Sequence, residues 1–327
     1  MTSSRQSGTN YGRRFLWLLV GIIAVIGLYT AGWFYAARTV VDEVQSAIVT
    51  LNGDGRRASC EEPLARGYPF RIGVFCRSVM FEDARHGVAF RAGALRSAAQ
   101  VYQPWRIVGE LDGPARLEAP GLNALSLDWS ALRASTRLAS PLPERLSVEA
   151  TGLAMQLDEQ GETPQSLARS QSAELHLRPV DDDLDIAVRF SELALDPSII
   201  GTIPPLSGLV DFSLTDGALP GGLDGGIHGR SGTIRTLTIS ADTGAGVSVS
   251  GPIAVDEAGL IDAELAITVR EPMALAKILG DLAPHARREI ELALSAMAGT
   301  NATGLPLRID KGRARLGFIP LGDIPPL

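Results

Sequence analysis

The order of apolar and polar positions divides the chain into three regimes. From Phe15 to Ala37 it reads FLWLLVGIIAVIGLYTAGWFYAA, 23 residues without a charge. A helix of roughly 20 apolar residues crosses a bilayer core, so this stretch predicts a transmembrane helix over 15–37. Trp17 near one end and Trp33, Phe34 and Tyr35 near the other are placed as interfacial aromatics. Val40, Val41, Val44, Ala47, Ile48 and Leu51 then recur at helical spacing, with Asp42, Glu43 and Gln45 between them. That pattern continues an amphipathic helix out of the membrane, until Asn52-Gly53-Asp54-Gly55 breaks it.

From about Arg71 to Arg270 the period becomes two. Leu125, Leu127 and Trp129 alternate with polar residues, as do Leu184, Ile186, Val188 and Phe190. Val210, Phe212 and Leu214 repeat the pattern, and so do Ile261, Ala263, Leu265, Ile267 and Val269. Alternation of this kind marks strands with one apolar and one wet face. Turn residues such as Asp112-Gly113-Pro114, Pro120-Gly121 and Asp216-Gly217 punctuate them, so the fold expected is a large, curved, mainly β antiparallel sheet. Two shapes satisfy the pattern: a sandwich covering its own apolar face, or an open groove that needs something else to cover it. The residues that would face a groove are Leu184, Ile186, Val188, Phe190, Ile261, Leu265, Ile267 and Val269.

Near the end the pattern turns helical over 272–298, with Pro272 and Pro284 as first-turn residues. Its second half should bury Ile290, Leu294 and Met297 and expose Arg287, Arg288 and Glu291. A hairpin follows, Leu305–Ile309 and Arg313–Ile319 turning at Asp310-Lys311-Gly312, and Pro320, Pro325 and Pro326 predict an irregular tail.

Charge orients these pieces. Residues 1–14 carry Arg5, Arg13 and Arg14 and no acid, while the whole 327-residue chain has a net charge of −7. The positive-inside rule keeps the basic tail 1–14 in the cytoplasm and puts 38–327 across the inner membrane as one periplasmic, mainly β domain. A cleaved signal peptide is the competitor, but 23 residues exceed the usual apolar length of one. The acidic balance argues against a nucleic-acid partner. Cys60 and Cys76 are the only cysteines, with fifteen residues between them, and in an oxidising compartment they are expected to pair.

The anchor followed by Cys60, Gly67-Tyr68-Pro69-Phe70-Arg71-Ile72 and Cys76 resembles domain-of-unknown-function family 2125 of bacterial envelopes. The closing segments Leu305-Pro306-Leu307-Arg308-Ile309 and Gly317-Phe318-Ile319-Pro320-Leu321-Gly322 resemble the same family. The resemblance implies no known activity. The family in turn is similar to the AsmA/TamB-like envelope proteins, which implies a single anchor helix and a long curved sheet whose apolar groove accommodates lipid. Gly67, Tyr68, Pro69 and Phe70 read either as a turn packed under the disulfide or as a contact surface.

Chemistry is sparse. His86, His176, His228 and His285 are scattered without ligand partners at strand or helix spacing, and two cysteines alone do not make a structural zinc site. No nucleophile elbow, P-loop or metalloprotease motif occurs. Asp181-Asp182-Asp183 with Asp185 lacks the spacing of a calcium loop and reads as a charged turn that blocks edge pairing. The glycines of 221–232 read as a hairpin loop, and Asn301-Ala302-Thr303 as an incidental glycosylation match. No catalytic, metal or cofactor residue is therefore expected. The expectation is a non-enzymatic, single-pass envelope protein that binds or conveys phospholipid or another acyl-chain lipid, or alternatively a scaffold for a protein partner.

Overall fold

The structure is a computed structural model in which residues 11–121, 123–140, 142–158, 163–219, 226–282, 287–298 and 305–327 are described. It begins with one helix, α1 (Tyr11–Leu51), in which the expected membrane span and the amphipathic extension are continuous. At 1.5 Å per residue its 41 residues reach about 60 Å, roughly twice a bilayer core. It is long and apolar enough to cross a membrane.

All strands among the described residues belong to one antiparallel sheet, which its registers resolve into a simple meander. The first five passes are each interrupted once. They comprise β1 (Arg56–Cys60) with β2 (Leu64–Arg66), β3 (Arg71–Cys76) with β4 (Val79–Asp83), and β5 (Val88–Ala92) with β6 (Leu95–Gln100). They continue with β7 (Gln103–Leu111) and β8 (Ala115–Glu118), then β9 (Ala124–Asp128) and β10 (Ala131–Arg137). In each couple both halves pair with the two halves of the next pass: β3 with β6 and β4 with β5, then β6 with β7 and β5 with β8. From there the passes are long: β11 (Arg145–Asp158), β12 (Gln165–Val180), β13 (Asp183–Leu195), then the short turn α2 (Pro197–Ile200) and β14 (Leu206–Leu214). The ladder proceeds through β15 (Arg230–Ala241), β16 (Gly246–Val255) and β17 (Ile261–Arg270). Two helices interrupt the ladder, α3 (Pro272–Leu282) and α4 (Arg287–Ala298), before β18 (Leu305–Asp310), β19 (Arg313–Leu316) and β20 (Ile319–Asp323) finish it.

The interruptions line up. Residues 61–63 lie opposite 76–78, those opposite 93–94, those opposite 112–114, those opposite 129–130, and these opposite Gly152. The line runs on through Gln171 to Glu192, where the β11–β12 and β12–β13 ladders each lose pairs and the β13–β14 register slips by one residue. Gly152 and Glu192 take positive φ, 62° and 48°, and Glu192 is the extra residue at the β13–β14 bulge. Aligned interruptions give one crease across the first eight passes, at the same level in each. Along the crease the freed groups find partners: Gly93 N–H donates to Asp112 O (3.1 Å), Asp112 N–H to Ala94 O (2.9 Å), Ser130 N–H to Thr151 O (2.9 Å) and Trp129 Nε1 to Leu111 O (2.7 Å).

The sheet is open and single-layered. Its first edge is backed by α1, which lies against β1, β2 and β3, and its last edge is β20. A compact monomer of 34.6 kDa exposes about 13,000 Å². This chain exposes 21325 Å², an excess to which the bare helix contributes only part. No large side chain among the described residues is fully buried, and alanine is the commonest buried apolar residue. The sandwich alternative is thus set aside in favour of the open sheet.

Two local expectations are corrected. Pro320 lies not in an irregular tail but in β20, where it is tolerated because the strand pairs on one side only. The Asp181–Asp183 turn joins two interior strands, β12 and β13, so it cannot guard an edge. In α4, Ile290 is half-buried and Leu294 buried, with Arg287, Arg288 and Glu291 exposed; the side chain of Met297, and Pro284, His285, Gly221–Gly225 and Asn301–Thr303, lie outside the described residues.

Candidate functional site

Registry converts the alternating sequence into one continuous apolar face. Val148, Leu175, Val188, Val210, Leu237, Val249 and Ile267 stand directly opposite one another across seven successive strands. At about 4.8 Å per strand that row is about 29 Å long. A parallel row runs Ala150, Ala173, Phe190, Gly208, Ile239, Val247, Val269. Leu146, Leu177, Ile186, Phe212 and Ile234 make a third. All eight sequence-predicted residues share this face: Leu184 and Leu265 are buried in it, whereas Ile186, Val188, Phe190, Ile261, Ile267 and Val269 are half-exposed. Leu265 also packs in a buried cluster with Ala263, Ile309, Ala314, Val249 and Ile253.

Two glycines shape this face. A Cβ on Gly208 would come within 2.5 Å of Phe190 Cε1, and one on Gly232 within 2.8 Å of Phe212 Cε2. Both phenyl rings therefore lie down over a bare backbone instead of standing up from the sheet. Sequence alternation alone did not single these glycines out, although a glycine inside a strand is a signal of close approach.

The opposite face is polar and holds the clefts. One, of about 590 Å³, is lined by Arg71, Arg96, Glu110, Arg133, Glu174 and His176 among others. Three of its charges form one network: Glu110 meets Arg133 at 3.3 Å and Arg96 at 3.7 Å, and Arg96 also donates to Asp112 at 2.7 Å. The Arg96 guanidinium holds the Asp112 carboxyl below the usual carboxylate range. Within the cleft His176 Nδ1 lies 3.0 Å from Ser147 Oγ and Nε2 3.3 Å from Glu174 Oε2. This series has the atoms of a nucleophile relay. However, Ser147 and His176 sit opposite each other on interior strands, whose backbone amides are committed to the ladder and cannot serve as an oxyanion hole.

A second cleft, farther along, is lined by Asp185, Asp211 and Arg235. Arg235 sits at a bulge and reaches Asp185 (2.8 Å) and Asp211 (2.7 Å), while Arg178 meets Asp185 from the other side at 3.1 Å. Asp185 is thus committed to two guanidiniums and to Ser213, and hydrogen bonding to Arg235 first of all lowers its pKa. His86 serves a turn: Asp83 accepts from His86 Nδ1 (2.9 Å) and from Arg85 N–H (3.0 Å), with Arg56 at 3.4 Å. His228 lies 3.3 Å from Glu257 O and 3.1 Å from Leu327 O, tying a hairpin loop to the chain end.

The third locus is where helix meets sheet. Cys60 and Cys76 are bonded, with Cα atoms 5.2 Å apart, and bridge the first two passes where the crease leaves their ladder unpaired. Gly67–Phe70 forms the turn at the other end of the β2–β3 hairpin, so it does not pack under the disulfide. It docks on α1 instead: Tyr29 Oη donates to Pro69 O (2.5 Å), Thr30 Oγ1 and Tyr68 Oη lie 2.8 Å apart, and Trp33 Nε1 donates to Arg71 O (2.9 Å). Tyr68 stacks on Phe34 and meets Trp33 edge-on. Trp33, expected as a free interfacial aromatic, is 6% exposed beneath this loop, while Phe34 and Tyr35 remain exposed. No sequence spacing links residues 29–33 to 68–71, so this contact was not legible beforehand.

No curated protein and no solved structure matches the chain. A family model described as an uncharacterized protein conserved in bacteria matches residues 33–325, a range that starts at the Trp33 contact and takes in the whole meander. The chain belongs to that family, DUF2125.

Proposed function

We propose that this protein is a membrane-anchored module that holds the acyl chains of phospholipid along the apolar face of its sheet, in the periplasm. The observation that carries the reading is the about 29 Å apolar row of aliphatic side chains on a sheet with no second layer. A face of that size is stable in water only when covered, and acyl chains match an aliphatic lining with two rings laid flat. The spanning helix delivers the face to the lipid source. The basic residues Arg5, Arg13 and Arg14 ahead of the span support a cytoplasmic N-terminus, and the Cys60–Cys76 bond supports an oxidising compartment for the sheet. The proposed role is non-catalytic.

The test is lipid analysis of the full-length protein purified in detergent. Co-purifying phospholipid is expected, and Ile267→Asp should lose it while the disulfide and the sheet's circular dichroism persist. Protein without lipid would refute the reading. A second reading, a scaffold for an envelope protein, draws on the free edge: β20 pairs on one side only and presents Phe318, Ile319 and Leu321 exposed. A stoichiometric protein partner in place of lipid would favour it.

A further inference from the structure

We propose that the protein touches the bilayer at a second place, where the tips of the β2–β3 and β6–β7 hairpins insert beside α1 into the leaflet from which the helix emerges. The depth follows from the helix. Tyr29 and Trp33 precede the first charged residue, Arg38, by nine and five positions, so their partners on the loop stand about 7–14 Å below it along the axis. A headgroup region is about 7 Å thick, which places Gly67–Arg71 at the boundary between headgroups and acyl chains.

The loop is equipped for that depth. Backbone groups without water must be satisfied internally. Four of the five carbonyls of Gly67–Arg71 are: Gly67 O accepts from Arg71 N–H (2.9 Å), Pro69 O from Tyr29, Phe70 O from Val101 N–H (3.0 Å) and Arg71 O from Trp33. The Val101 bond ties in the β6–β7 tip. What the two tips then show outward is apolar or aromatic: Phe70 is 69% exposed and Tyr102 66%, with Tyr68 and Val101 also exposed. Aromatic side chains at this level are those that favour the interface.

Charge favours these two hairpins for the contact. Residues 63–81 and 93–109 contain Arg66, Arg71, Arg77, Arg96 and Arg106 and no Asp or Glu, in a chain of net charge −7. Later turns at the same end of the meander carry Asp181–Asp183, Asp216 and Asp256-Glu257, which an anionic surface repels. The sheet is thereby held at a fixed attitude by two attachments, independently of whether its apolar face carries lipid; the inference rests only on α1 spanning the bilayer.

The test uses the full chain, whose own two cysteines are bonded and do not label. Tyr102→Cys, Ile23→Cys and Leu219→Cys are each labelled with the fluorophore NBD. They are reconstituted in vesicles of phosphatidylcholine with a minor fraction of phosphatidylglycerol, and doxyl groups are spread along the lipid chains. The expected result is loss of emission at positions 23 and 102 and none at 219. Quenching at 23 without quenching at 102 overturns the second contact and leaves the anchor standing. No quenching at 23 overturns both, and quenching at 219 overturns the restriction to the first hairpins. Phe70→Cys replaces Tyr102→Cys if that variant does not fold, and carries the same expectation.

Discussion

The flat ring of Phe190 over Gly208 gives a sharp test of the open, single-layered sheet. Gly208 has ordinary extended backbone in β14, so alanine there is conformationally favourable and alone would stabilise by about 0.4–1 kcal/mol through the unfolded chain. The new Cβ, however, would stand 2.5 Å from Phe190 Cε1, well inside contact distance, and the ring must rise off the sheet. Overpacking of this kind costs about 1–3 kcal/mol, so Gly208→Ala should destabilise by up to about 2 kcal/mol in the native background. In a Phe190→Ala background the obstruction is gone and the same substitution should stabilise by about 0.4–1 kcal/mol. The cycle therefore predicts a change of sign, with a coupling of about 1–3 kcal/mol. Urea unfolding of the four full-length proteins in one detergent, followed by tryptophan fluorescence, measures it. If Gly208→Ala stabilises the native protein, or if the two effects add within about 0.5 kcal/mol, the ring does not lie on the glycine and the face is built differently.

Replacing both Cys60 and Cys76 by serine should lower stability by about 3 kcal/mol, the chain-entropy value for a loop of this size, as read by the shift in urea midpoint against the oxidised parent. Asp83 is held at a pKa of about 2, chiefly by its hydrogen bond to His86. Because the folded-state value is depressed, its contribution is complete above about pH 4 and is lost as pH falls toward 2. Asp83→Asn should then be less stable than the parent at neutral pH and converge with it near pH 2, and parallel pH–stability curves would contradict this. Arg235→Met removes the ion pairs to Asp185 and Asp211 at a half-exposed site, for an expected loss of about 0.5–1 kcal/mol. Since Asp185 is depressed mainly by Arg235, the variant should also lose part of the acid sensitivity seen below about pH 4, as measured by unfolding at stepped pH.

What the sequence disclosed depended on strand length. The passes β11 to β17 are long enough for apolar alternation to be read, and the residues assigned to one face from Leu184–Phe190 and Ile261–Val269 do share it. The first five passes are split by the crease into halves of three to nine residues, too short for a period to stand out beyond Leu125-Leu127-Trp129 at β9, and otherwise only their turn residues were visible. Asp112-Gly113-Pro114 was read as a turn between strands; it is the bend within a single pass. The Cys60–Cys76 pair was legible because nothing competes for either thiol. The partner of Gly67–Phe70 was not, because Tyr29, Thr30 and Trp33 sit in a segment whose apolarity suits lipid as well as protein.

Because every pass of the meander pairs with the passes next to it in sequence, the sheet is assembled from units that need only the unit before them. Such a ladder can zip outward from the α1 end as the chain is made, with little search for distant partners. It is also modular in size: adding or removing one hairpin would lengthen or shorten the sheet by two strands while leaving the α1 end and the terminal strands as they are. The reach of the sheet away from α1 is therefore a quantity that evolution can adjust two strands at a time.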